Sequence, residues 1–77
     1  MNIKIYGADW CSDCVSVKEF LNLQKLKFEY IVITENVTAL RFLEKVNNGK
    51  RTIPVLEINN KIYINPGIKK LSKIIKE

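Results

Sequence analysis

The run Phe28-Glu-Tyr-Ile-Val-Ile33 constrains this chain more than any other segment. It is rich in aromatic and β-branched residues, which is the composition of a strand. Helical spacing brackets it on both sides. Upstream, Cys14, Val17, Phe20 and Leu21 recur at three- and four-residue intervals, and downstream Ala39, Leu40, Leu43 and Val46 do the same. An earlier strand signal, Ile3 and Ile5 alternating with Asn2, Lys4 and Tyr6, precedes the first helical stretch. A strand–helix–strand succession is a crossover, so the first two strands should pair in parallel beneath covering helices.

Local chemistry suggests the boundaries. Strand one is expected over about residues 2–6, ended by the turn Gly7-Ala8-Asp9. Helix one should start near Cys11 or Ser12, with Asp9 or Ser12 available as a cap and Asp13 suiting the helix dipole, and should fray around Gln24–Lys27. Thr34 or Asn36 can cap helix two, and Asn47-Asn48-Gly49 should stop it, because Asn and Gly tolerate the left-handed conformation. Lys50-Arg51-Thr52-Ile53 leads to Pro54, and Val55–Ile58 reads as a third strand. Asn59-Asn60 fits a two-residue hairpin turn into a fourth strand, Lys61–Ile64. Asn65-Pro66 is expected to open a last helix as cap and first residue, with Ile68, Leu71, Ile74 and Ile75 on its apolar face. The order is β-α-β-α-β-β-α, an α/β fold with a four-stranded mixed sheet flanked by three helices. No linker, repeat or low-complexity stretch interrupts residues 1–77, which are expected to form a single domain.

Between the first strand and the first helix lies Trp10-Cys11-Ser12-Asp13-Cys14, which holds both cysteines of the chain. A small domain gains from disulfide staples. A Cys11–Cys14 bridge, however, closes so short a loop that it removes little chain entropy. Redox chemistry explains the pair better, since a strand running into a CxxC helix is the arrangement of a dithiol–disulfide site. No apolar run approaches a membrane span, and the N-terminus lacks the pattern of an export signal. A reducing cytoplasm is therefore the expected compartment, and there an isolated CxxC points to redox or metal chemistry rather than structure. A metal site within one chain is not expected, because a structural site wants four ligands and this sequence has two cysteines and no histidine. The lack of histidine also removes cysteine–histidine nucleophilic catalysis.

The net charge is +5, from 13 Lys/Arg against 8 Asp/Glu. Apart from a lysine-rich final helix the basic residues are scattered, and no aromatic-interleaved basic motif is present, so neither nucleic acid nor membrane is an expected partner. Mild attraction to acidic partners or anionic thiols is the functional alternative to plain solvation.

Taken together, the order of elements and these motifs resemble the glutaredoxin branch of the thioredoxin superfamily in its minimal form. Trp10-Cys11-Ser-Asp-Cys14 after strand one, Arg51-Thr52-Ile53-Pro54 before strand three, the hairpin, and Asn65-Pro66 before helix three carry the resemblance. The segment Val46-Asn-Asn-Gly-Lys-Arg-Thr-Ile-Pro54 is similar to the mycoredoxin-type subgroup of small glutaredoxin-like redoxins. Glutathione-linked members commonly carry Pro-Tyr between the cysteines and a lysine just before them. This chain has Ser12-Asp13 and Gly7-Ala8-Asp9-Trp10 in those places. The co-substrate implied is thus glutathione or another low-molecular-weight thiol. No other cofactor is expected beyond the Cys11–Cys14 disulfide itself.

The resemblance and the helix position assign roles. Cys11 sits at the positive end of helix one, where free N–H groups favour an anion, and should attack a disulfide as the thiolate. Cys14, one turn further in, should resolve the mixed disulfide. Asp13 works partly against a second negative charge nearby. The resemblance implies a cis bond before Pro54, set against the CxxC, with Ile53 offering its backbone to an extended substrate and Thr52 flanking the groove. Trp10 is either packing or an apolar wall beside the nucleophile. Arg51 and Lys50 are either solvated or meet a carboxylate of a small thiol. Asn65 is first a cap, and backbone N–H groups at Asn65-Pro66 could receive a substrate carboxylate. Lys18 is most simply a polar-face residue.

The expected activity is that of a cytosolic thiol–disulfide oxidoreductase. Its partners would be disulfide-containing client proteins, with a small thiol or a reductase as electron donor, and it should act as a monomer. Two other readings remain open at this stage: an iron–sulfur or metal-carrying module using Cys11 in a dimer, and a redox-inert adaptor.

Overall fold

The computed structural model describes residues 1–76. Four strands, β1 (Ile3–Gly7), β2 (Glu29–Val32), β3 (Val55–Ile58) and β4 (Lys61–Ile64), form one sheet in the order β2-β1-β3-β4. β1 and β2 are parallel, whereas β3 is antiparallel to both β1 and β4, which makes the sheet mixed as expected. The helices are α1 (Ser12–Leu23), α2 (Val37–Val46) and α3 (Gly67–Lys76).

Strand alternation divides the apolar residues between two cores. On one face, Ile3 and Ile5 of β1 and Leu56 and Ile58 of β3 meet Val17 and Leu21 of α1 and Leu71 of α3. On the other, Tyr6 and Val55 meet Ala39 and Leu43 of α2. Leu21, Leu43, Leu56 and Leu71 are completely buried; burying each such side chain contributes roughly 1.5–3 kcal/mol. Tyr6 also stacks obliquely on Phe42, with ring centroids 5.1 Å apart.

Several boundaries differ from the sequence reading. β1 runs one residue further than expected, so Gly7 is part of the strand rather than of a turn. Neither Asp9 nor Ser12 caps α1. Cys11 does, its Sγ accepting from the Cys14 N–H at 3.2 Å, because a thiol three residues before the N–H has the reach of a capping side chain. α1 stops cleanly at Leu23, after which Lys25 takes a positive φ of 58°. β2 is shorter than the Phe28–Ile33 run, since Ile33–Glu35 tightens into a 3-10 turn before α2. Asn36 caps α2 as one of the two expected candidates, its Oδ1 accepting from Ala39 N–H at 3.0 Å.

Past α2, Asn48 (φ 56°) and Gly49 (φ 85°) turn the chain left-handed, and the Gly49 N–H closes the helix end on Glu44 O at 2.7 Å. Asn59 (φ 50°) and Asn60 (φ 71°) form the hairpin turn. α3 begins at Gly67, so Pro66 precedes the helix rather than opening it, and Asn65 is not its cap. Asn65 instead takes a positive φ of 42° and donates its backbone N–H to Pro54 O at 2.8 Å. That bond ties the end of β4 to the start of β3.

Candidate active site

The crossover from β1 to α1 delivers the two cysteines to one end of the sheet. Ala8, Cys11 and Cys14 form a small buried cluster against which Tyr30 of β2 and Ile53 pack. Both thiols are free. They are not equivalent. Cys11, at the N-cap of α1, keeps 9% of its surface exposed, while Cys14 keeps none. Burial pushes the Cys14 thiol up to about 11, with the contact to Cys11 adding to the rise. The Ala8 backbone and the Tyr30 hydroxyl pull partly the other way.

Gly7 explains how so much chemistry fits under the helix. A Cβ on Gly7 would lie 2.7 Å from Tyr30 Oη and 2.8 Å from Cys14 Sγ. Both atoms therefore occupy the space a side chain would fill. The parallel pairing places Tyr30 beside Ile5 and Val32 beside Gly7, so Tyr30 leans along the same face toward the cysteines. Its hydroxyl donates to Ala8 O at 2.8 Å. Burial, followed by the charges of the two cysteines, raises the Tyr30 phenol above its ordinary range, so the group stays a hydrogen-bond donor at neutral pH. Lys18 is not a plain polar-face residue: its Nζ sits 4.2 Å from the Tyr30 ring centroid, within cation–π range.

The loop before β3 is held from two sides. Asn47, buried at the end of α2, donates Nδ2 to Thr52 O at 3.1 Å, and Asn65 holds the Pro54 carbonyl. The Ile53–Pro54 bond is cis, and Ile53 packs against the cysteine cluster. Of the residues singled out from sequence, Cys11, Cys14 and Ile53 thus come together directly. Thr52 and Pro54 are tethered beside them, Thr52 exposed and Pro54 buried.

The remaining candidates lie outside that cluster. Trp10 is 77% exposed, which rules out the reading of it as packing. Ser12 and Asp13 are exposed in the first turn of α1. Arg51 pairs with Glu44 at 3.1 Å on the surface, so the chain already supplies it with a carboxylate. Gly7 and Tyr30 are the residues the sequence reading missed. Among the described residues, no group of three or more His, Cys, Asp or Glu side chains converges into a metal site, and no helix is long and apolar enough to cross a membrane.

A sequence model of the family described as Glutaredoxin matches residues 3–63, from β1 into β4. The chain belongs to the glutaredoxin family. Among curated glutaredoxins, a putative glutaredoxin of Mycobacterium tuberculosis is 31% identical over 55 residues, which cover 71% of this chain and 66%, just under two thirds, of that protein. Mycoredoxin 1 of Corynebacterium glutamicum is 29% identical over 59 residues, covering 77% of this chain and 72% of the relative. The crystal structure of a glutaredoxin from Archaeoglobus fulgidus superposes with a TM-score of 0.78 at 26% identity, covering 97% of this chain and 86% of that one. Within the glutaredoxin fold, the dithiol pair, the tethered proline loop and the tyrosine beneath them occupy one contiguous corner.

Proposed function

We propose that this chain is a dithiol–disulfide oxidoreductase in which Cys11 attacks and Cys14 resolves. The carrying observation is the asymmetry of the two thiols. Cys11 is the N-cap of α1, accepts the Cys14 N–H and keeps 9% of its surface exposed. Cys14 is fully enclosed and held protonated by burial, which suits a thiol that reacts only once a partner sulfur is bonded beside it.

The steps balance as follows. The Cys11 thiolate attacks one sulfur of a disulfide, forms a mixed disulfide and releases the other sulfur as a thiolate. Cys14 then loses its proton and attacks Cys11 Sγ, expelling the second sulfur. Two electrons pass from the dithiol to the substrate, and the chain is left with a Cys11–Cys14 disulfide.

Family membership supports protein disulfides and mixed disulfides of small thiols as substrates, with a small thiol or a reductase returning the electrons. Trp10, Thr52, Ile53 and Pro54 would line the approach to Cys11, with Ser12, Asp13 and the Asn65-Pro66 turn at its rim. The chain would work as a monomer in the reducing cytoplasm.

Turnover of a glutathione mixed disulfide against an insulin-like protein disulfide tests this, with Cys11→Ser and Cys14→Ser variants. Cys11→Ser should abolish both activities, and Cys14→Ser should lose at least the protein disulfide. Full activity of Cys11→Ser would sink the assignment.

A further inference from the structure

Resting on that reading, a second residue is drawn into the resolving step. We propose that Tyr30 is a positioning residue for Cys14: its hydroxyl turns from the Ala8 carbonyl to the Cys14 sulfur as that thiol gives up its proton. Three observations converge. Tyr30 Oη and Cys14 Sγ crowd the same side-chain-free space above Gly7, each within 2.8 Å of where a Cβ would stand. The hydroxyl's resting acceptor, Ala8 O at 2.8 Å, belongs to the same buried cluster as Cys14. Turning from one acceptor to the other therefore keeps the hydroxyl within that cluster. The phenol is half-buried and its pKa is raised, chiefly by burial, so it remains a donor at neutral pH.

The Ala8 backbone already favours a Cys14 anion in part, and a side-chain donor would add to it. Cys14 has no exposed surface through which water could stabilise a thiolate, and a buried anion without a hydrogen bond is costly. The titratable and charged groups facing the pair are Cys11 at the N-cap of α1, Lys18 within α1 and Asp9 from the preceding turn. During resolution Cys11 is bonded to the substrate sulfur and carries no charge, while Asp9 opposes negative charge on the tyrosine side of the pair. The Lys18 ammonium lies over the ring rather than at the sulfur, which leaves the phenol hydroxyl as the side-chain donor for Cys14.

In the resolving step the Cys14–Cys11 S–S bond forms and the bond from Cys11 to the substrate sulfur breaks. The electron pair goes to the leaving sulfur. The proton shed by Cys14 goes to that sulfur or, for an acidic leaving thiol, to solvent. Tyr30 neither gains nor loses a proton; it exchanges a neutral hydrogen bond for a charge-assisted one, roughly twice as strong. Removing it should slow resolution by about tenfold.

The aromatic disulfide of thionitrobenzoate, mixed with the reduced chain in a stopped-flow instrument, separates the two steps. Attack by Cys11 releases one coloured thiolate at a rate proportional to reagent concentration. Resolution by Cys14 releases the second at a rate independent of it. Tyr30→Phe should leave the first phase unchanged and slow the second about tenfold. 3-Fluorotyrosine at position 30 keeps the ring and strengthens the donor, so it should accelerate the second phase and move its pH midpoint down.

A purely structural tyrosine would not produce these opposite responses. An unchanged second phase in Tyr30→Phe, or equal slowing of both phases, overturns the role given to Tyr30 while leaving the proposed function standing. A parent chain with no concentration-independent phase overturns both.

Discussion

Gly7→Ala is a substitution whose sign the structure decides. Gly7 lies in β1 and is not among the residues with positive φ, so alanine meets no backbone strain there. On backbone grounds alone the change should stabilise the protein by about 0.4–1 kcal/mol, because alanine restricts the unfolded chain. Space argues the other way. The new Cβ would stand 2.7 Å from Tyr30 Oη and 2.8 Å from Cys14 Sγ, distances real Cβ contacts do not tolerate. Neither neighbour yields easily: the hydroxyl is bonded to Ala8 O, and Cys14 is fixed in the first turn of α1. Overpacking of this kind costs about 1–3 kcal/mol, so the net effect should be a loss of about 1–2 kcal/mol. For a domain of this size that lowers the midpoint by roughly 5–15 °C. Thermal unfolding of the reduced protein, followed by circular dichroism, measures it. A midpoint equal to or above that of the parent would refute the close packing of Tyr30 and Cys14 over Gly7.

Three further outcomes are expected. Asn36→Ala removes the side-chain cap of α2 and should cost about 1 kcal/mol in urea unfolding, whereas Asn36→Asp should retain most of it. The Cys14 thiol is raised to about 11 in the folded chain, above its unfolded value of about 8.5. Its contribution to stability is therefore complete below about pH 8.5 and is lost as pH climbs toward 11; Cys14→Ser should flatten that part of the reduced protein's stability–pH curve relative to the parent. The Cys11–Cys14 couple, equilibrated against glutathione buffers, should have a potential between about −200 and −270 mV, and a value near −120 mV, that of a strong oxidant, would contradict a reductase.

Much of the fold is legible from local chemistry. The Asn59-Asn60 hairpin could be read because both residues tolerate the positive φ they adopt, and the Asn48-Gly49 stop of α2 for the same reason. The parallel β1–β2 pair follows from a helix lying between two strands. Misreadings arose where one side chain took a role that composition assigns to another. Asp9 and Ser12 are better capping types than cysteine, yet Cys11 holds the capping geometry because its thiol lies over the exposed N–H of Cys14. The Asn65-Pro66 pair has the chemistry of a helix start, but the Asn65 N–H is used by Pro54 O and the helix begins at Gly67.

The site was legible only in part. Cys11, Cys14 and the Ile53-Pro54 loop stand out by motif. Tyr30 and Gly7 do not, because nothing local joins a strand tyrosine to a glycine in another strand. One signal was available: with β1 and β2 parallel, alternation puts Tyr30 on the α1 face beside Ile5, one alternation step from the glycine that leads into the CxxC. The Arg51–Glu44 surface pair was not legible either, because it forms only where the chain turns back past the end of α2.

The central claim is that Cys11 is the attacking sulfur and Cys14 the resolving one. Trapping the intermediate tests it most directly: the reduced Cys14→Ser variant is incubated with a protein disulfide, quenched with acid, and the adduct is mapped by mass spectrometry. A stable mixed disulfide on Cys11, absent from the parent chain and from Cys11→Ser, is the predicted result. An adduct on Cys14 in the Cys11→Ser variant, together with no adduct on Cys11 in the Cys14→Ser variant, would contradict the account.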